Sequence, residues 1–179
     1  MTCIAGIVNK GKVFIGGDSA ACEHYDLRIR ADSKVFKTGP FLMGFTTSFR
    51  LGQLLRHCFT PPELPENIAV DDFMVKIFIE EIRKCLKNGG YSQITDNVEK
   101  GGTFLVGFKG RLFTIYGDFQ VEETIDNFAA IGCGAPYAKA VLWHLRDKIL
   151  PARKKLLLAL KAASYFSAGV RPPFITKMV

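Results

Sequence analysis

The chain has 179 residues, enough for about one domain by the usual span of roughly 100–200 residues each, so a single domain over 1–179 is expected. At 48% hydrophobic and 23% charged it has a globular composition, which excludes disordered, collagen-like and low-complexity chains. Its 24 Lys and Arg against 17 Asp and Glu give a net charge of +7, yet the basic residues are scattered and no aromatic-interleaved basic stripe occurs. No specific nucleic-acid partner is expected.

Two short β-rich runs, 3–8 and 13–17, flank Asn9, Lys10 and Gly11 and read as a hairpin. A second hairpin, 34–37 with 41–46, carries Thr38, Gly39 and Pro40 at its tip. Ser48 suits the N-cap of a helix over about 48–58, stopped before Pro61 and Pro62. Asp71 opens a longer helix to about residue 87, with Met74, Ile77, Phe78, Ile82 and Cys85 at three- and four-residue steps and Gly89 and Gly90 beyond it. Phe73, Val75 and Ile79 lie off that row, so part of the helix pair over 48–87 is expected to face another subunit.

After a polar loop over 91–100, runs 103–108 and 112–116 form a third hairpin, and 128–131 another strand. Helices are expected over 136–149 and 151–166, with Pro151 in the first turn of the last. Strands alternating with pairs of helices argue for a layered α+β fold with antiparallel sheets.

No apolar run approaches the roughly 18 residues of a membrane span, and the first residues lack the marks of a secretory signal; no membrane association and a cytoplasmic location are expected. Five widely spaced cysteines and three histidines encode neither a disulfide framework nor a metal site. The segment GCGAPY, 132–137, has Tyr137 where a dinucleotide fingerprint wants its third glycine, and no phosphate loop or nucleophile elbow occurs. No cofactor is expected.

Chemistry concentrates at the beginning: Thr2 directly after Met1, the turn GGDSAA carrying Asp18, and Lys34 opening SKVFK. With TCIAGIV, MGFTTS, AAIGCGAPYAKA and ALKAASYF, these motifs span nearly the whole chain and resemble the proteasome β-subunit family, most closely the bacterial proteasome-like peptidase that works with a ring ATPase. The resemblance implies the N-terminal-nucleophile hydrolase fold, a four-layer αββα sandwich of two antiparallel sheets between helix pairs. It also implies a threonine endopeptidase in a homo-oligomeric ring or double ring, taking unfolded polypeptide and partnered by a ring ATPase.

Aligned without gaps, the family's three essential side chains fall on Thr2, Asp18 and Lys34. The chemistry suits the residue types. Removal of Met1 gives Thr2 a hydroxyl and a free amine whose ordinary pKa near 8 makes it a usable base. A neighbouring Lys34 disfavours protonation of that amine, and Asp18 would hold the Lys34 ammonium. The resemblance further places an oxyanion-binding amide at Thr47, where the family has Gly, and a partner of the Thr2 amine at Cys133, where it has Ser. Cys133 also suits a small buried hydrophobe.

Main-chain pairing of substrate maps to Ala21, Cys22 and Thr47. The specificity pocket maps to Ala21, Asp32 and Phe45, and the size of Phe45 predicts a shallow pocket favouring small or medium side chains. The family's Asp-Ser-Gly-Gly after the last helix is replaced by SAGVR at 167–171, which leaves the outer support of the Thr2 amine in question. A catalytically silent ring subunit is the alternative reading; another N-terminal-nucleophile amidohydrolase, acting on small amides, is a further one.

Overall fold

Residues 1–179 are described by a computed structural model. The elements run β1 (Ile4–Asn9), β2 (Lys12–Gly17), β3 (Ala20–Glu23), β4 (Asp26–Ile29), β5 (Val35–Thr38), β6 (Phe41–Phe45), α1 (Phe49–His57) and α2 (Val70–Phe73). A π-helical turn over Met74–Phe78 leads into α3 (Ile79–Asn88), then β7 (Gln93–Thr95), β8 (Val98–Lys100), β9 (Phe104–Phe108) and β10 (Arg111–Ile115). The chain ends through β11 (Val121–Glu123), β12 (Phe128–Ile131), α4 (Ala135–Leu145), α5 (Ala152–Phe166) and β13 (Ile175–Met178). It is an α+β fold, as the element order implied.

Two antiparallel sheets dominate, with strand orders β12-β1-β2-β13 and β11-β10-β9-β6-β5. Their central strands are apolar on both faces, and the period of two sorts the side chains. From β6, Phe41, Met43 and Phe45 face a phenylalanine-rich core shared with α1 and α3, while Leu42 joins Ile4, Ile15, Val35 and Leu105 in a second core made by both sheets. From β1, Ala5 and Ile7 enter a third core with Leu142, Leu156 and Leu160 of α4 and α5.

The interface expected on the second helix is corrected at two of its three residues. Phe73 is fully buried and Ile79 is 5% exposed, whereas Val75 is 56% exposed. The π-helical turn is the cause: it adds a residue to the helical ladder, rotates the apolar stripe, and turns Phe73, Phe78, Ile79 and Ile82 into one core.

The expected polar loop over 91–100 contains the β7–β8 hairpin, whose two-residue turn holds Asp96 and Asn97 at φ 53° and 61°. The β3–β4 hairpin also escapes hydrophobic patterning, because every residue of β4 is exposed. Helix α4 stops at Leu145, short of residue 149, and Pro151 is the N-cap of α5, with ψ 139°, instead of a residue of its first turn.

Candidate active site

The two N-terminal hairpins bring their open ends together. In the first, Ile4 pairs with Gly17, so Thr2 and Cys3 run beside Asp18, and the Asp18 N–H donates to the Cys3 carbonyl at 3.3 Å. In the second, Val35 pairs with Gly44 and the Phe45 N–H donates to the Lys34 carbonyl at 3.1 Å, which places Lys34 beside the exit of β6 toward Thr47. Gly44 permits the close approach of the sheets, since a Cβ there would stand 2.6 Å from the Ile4 side chain.

At this junction the Lys34 Nζ donates at 3.0 Å to Thr2 Oγ1 and at 3.0 Å to Asp18 Oδ1. All three side chains are buried: Thr2 is 5% exposed, Lys34 2% and Asp18 1%. Asp18 is held in turn by backbone amides, accepting from Cys3 at 3.0 Å, Ala20 at 2.9 Å and Arg171 at 3.4 Å. A buried carboxylate so satisfied fixes the ammonium, and with it the point charge beside the hydroxyl. The Cys3 thiol next to it is pushed up to about 12, first by burial and then by the Asp18 charge.

The Thr2 nitrogen faces the β12–α4 turn. Its N–H donates to Cys133 Sγ at 3.3 Å, and that sulfur lies 3.2 Å from Ser167 Oγ. Cys133 is exposed, which excludes its reading as a buried hydrophobe. The turn depends on Gly132, at φ 90°, where a Cβ would stop 2.3 Å from the Thr2 carbonyl oxygen. Ser167 of the SAGVR segment thus stands behind Cys133, and the Arg171 guanidinium caps the end of α5 by donating to the carbonyls of Ser164, Ser167 and Val170. Sequence reasoning did not assign these partners to Ser167 or Arg171; no local pattern signals them, because Ser167 meets Cys133 and the Arg171 amide meets Asp18 across long stretches of chain.

Met1 is 59% exposed, and its carbonyl accepts from the Thr2 hydroxyl. While the Met1–Thr2 bond persists, the Thr2 nitrogen is an amide and not a base.

Thr47 is exposed and adopts φ 73°, a left-handed conformation costly for a β-branched residue. Its hydroxyl accepts from the Thr103 N–H at 3.2 Å. Thr47, Cys22 and Phe45 join Thr2 and Lys34 around a small cavity of about 110 Å³.

The expected specificity set is only partly united. Asp32 and Phe45 line a separate cavity of about 290 Å³, while Ala21 and Cys22 line another of about 360 Å³. Phe49, absent from the sequence-based set, borders all three. Its first position in α1, just after the N-cap Ser48, is the one available signal.

No cluster of His, Cys, Asp or Glu suits a metal ion, and no helix is long and apolar enough to cross a membrane.

The α+β fold is shared with solved structures of low sequence identity. Among solved structures, BPH of Thiobacillus denitrificans superposes with a TM-score of 0.84 at 21% identity, over 99% of this chain and 97% of its own. HslV from Trypanosoma brucei gives 0.70 at 16%, over 99% and 98%. Anbu, an ancestral beta-subunit from Yersinia bercovieri, gives 0.68 at 15%, over 99% and 81%. At these identities the likeness defines the fold. No family model matches the chain, and no curated protein does.

Proposed function

We propose that the chain is a threonine endopeptidase subunit of a self-compartmentalised ring, with Thr2 as nucleophile once Met1 is removed. The observation that carries this reading is the Lys34 ammonium, 3.0 Å from both Thr2 Oγ1 and Asp18 Oδ1 in a buried site. The finer fold assignment, a four-layer αββα sandwich over a single peptidase domain, belongs to the same reading.

The freed Thr2 amine takes the proton of Oγ1, directly or through a water, as Oγ1 attacks the peptide carbonyl carbon. Lys34 favours the oxyanionic form of Oγ1 and disfavours protonation of the amine. The Thr47 N–H is assigned to the developing oxyanion; a backbone donor serves whatever its side chain, and the Thr47 hydroxyl is engaged with Thr103. The C–N bond breaks as the amine returns its proton to the leaving nitrogen. Water, deprotonated by the same amine, then hydrolyses the Thr2 ester. Cys133, backed by Ser167, orients the amine. No metal or cofactor takes part in these steps.

Extended substrate pairs with the free edge of β3 at Ala21 and Cys22 and with Thr47, since β3 is hydrogen-bonded only to β4. The Anbu complex from Pseudomonas aeruginosa, similar in fold with a TM-score of 0.67 at 17% identity, forms a helical assembly. That supports assembly of this chain with its own copies; a cytoplasmic location and a ring ATPase partner complete the reading.

The test is hydrolysis of short unstructured fluorogenic peptides by protein whose intact mass shows that it starts at Thr2. Turnover unaffected by a chelator and lost in Thr2→Ala is expected. Loss with chelator, or turnover surviving in Thr2→Ala, contradicts it.

A further inference from the structure

With Met1 in its wall, the cavity at Thr2 is about 110 Å³, and a larger cavity of about 290 Å³ shares its Phe45 and Phe49 wall. Phe45 is fixed in that wall: it is 4% exposed and lies so closely on α1 that a Cβ at Gly52 would stop 2.2 Å from its ring. Phe49 is half-buried and stands edge-on to Phe45, with ring centroids 5.9 Å apart at 82°. The Arg30 guanidinium lies 4.0 Å over the Phe49 ring and holds it in place.

The chamber behind Phe49 has an unbalanced charge. Arg30 and Asp32 neutralise each other through a bidentate pair at 2.6 and 2.7 Å. Arg56 has no carboxylate within ion-pair distance; its guanidinium donates to the Ser33 carbonyl and stacks 4.6 Å from the Phe36 ring, and its Nε is buried without a partner. Burial pushes the Arg56 guanidinium below its ordinary pKa, and the weaker opposing pull of the nearby Asp32 carboxylate does not offset it.

We propose that Phe49 determines specificity: its ring confines the side chain preceding the scissile bond to small residues, and behind it lies an acceptor for the carboxylate of a glutamate side chain, with Arg56 as the anion's partner. Moving the ring aside joins the two cavities. The proposal rests on the reading of Thr2 as nucleophile for the location of the scissile bond.

The experiment compares acetylated tripeptide coumarins ending in Ala, Gln or Glu, and the corresponding free peptide acids as ligands in calorimetric titrations. Wild-type protein should favour Ala. Phe49→Ala should raise the Glu-to-Ala ratio of kcat/KM about tenfold or more, as expected of a charge-assisted bond, and raise Glu above Gln. Adding Arg56→Gln should return Glu to the level of Gln. The titrations should show the same order of affinities whether or not turnover occurs. Absence of all turnover therefore counts against the Thr2 reading, while the affinities still decide the role of Phe49. Ratios and affinities unchanged in Phe49→Ala, or a Glu gain that survives Arg56→Gln, would overturn the proposal.

Discussion

The Lys34 ammonium donates to the Thr2 hydroxyl at 3.0 Å although 32 residues separate them, and both side chains are almost completely buried. Lys34→Met removes the charge and leaves Asp18 buried with only its backbone donors. Breaking a buried pair costs about 3–5 kcal/mol as a rule, and the amides of Cys3, Ala20 and Arg171 should keep the loss at or below the low end. Peptidase activity should fall by several orders of magnitude in protein that still folds. Lys34→Arg should also be poor, since a planar guanidinium cannot place its charge where the compact ammonium sits. Thermal melts with peptide assays separate the two effects; full activity in folded Lys34→Met would refute the charge role.

Cys133 presents sulfur to the Thr2 nitrogen at 3.3 Å. In Cys133→Ser a hydroxyl can serve the same nitrogen, and kcat should stay within a few-fold. Cys133→Ala removes the partner and should lower kcat about tenfold with a smaller change in KM, the loss of roughly one orienting hydrogen bond. Equal activity of the Ala and Ser variants would show that the contact is incidental.

Thr2, Asp18 and Lys34 are legible in the sequence through the family resemblance of their motifs, and the turn residues at Gly11 and Gly39 mark the two hairpins whose open ends carry them. What escapes is of two kinds. Strands β4 and β7 are exposed along their whole length, and β3 and β8 are half-buried at most beyond Ala20, so no burial pattern marks either hairpin. Phe49, Ser167 and Arg171 act through contacts between distant parts of the chain, and Phe73 and Ile79 would fall off the buried stripe of a regular helix, whereas the π-helical turn rotates them inward.

The Cys3 thiol provides a pH-dependent test. Its folded pKa, about 12, lies above the ordinary 9.0 because of burial and then the Asp18 charge. The unfolded chain releases this proton first as pH rises. Cys3 therefore contributes stability that is present below about pH 9 and is lost as pH climbs toward 12, by about 1.4 kcal/mol per unit at most. Cys3→Ala should flatten that decline in urea titrations. In folded wild-type protein at pH 8–9, iodoacetamide should modify the exposed Cys58 and Cys133 while sparing Cys3. Modification of Cys3 at the rate of Cys58 would contradict its burial.

The helix-facing core is tested at Phe41. Phe41 is fully buried, with ring centroids 4.3 Å from Phe108 and 4.9 Å from Phe78. Phe41→Ala should cost about 3–5 kcal/mol, read from the shift of the urea midpoint. A loss under about 1 kcal/mol would mean that the ring cluster does not hold the α1–α3 face.

The measurement that bears most directly on the central claim is intact and fragment mass spectrometry after incubation with a peptide epoxyketone, whose two electrophilic carbons capture a hydroxyl and an adjacent free amine together. The expected product is a chain that has lost Met1 and carries one inhibitor on Thr2, with no adduct in Thr2→Ala or Lys34→Met. A chain shown to begin at Thr2 that stays unlabelled, or one labelled equally in Lys34→Met, would contradict it.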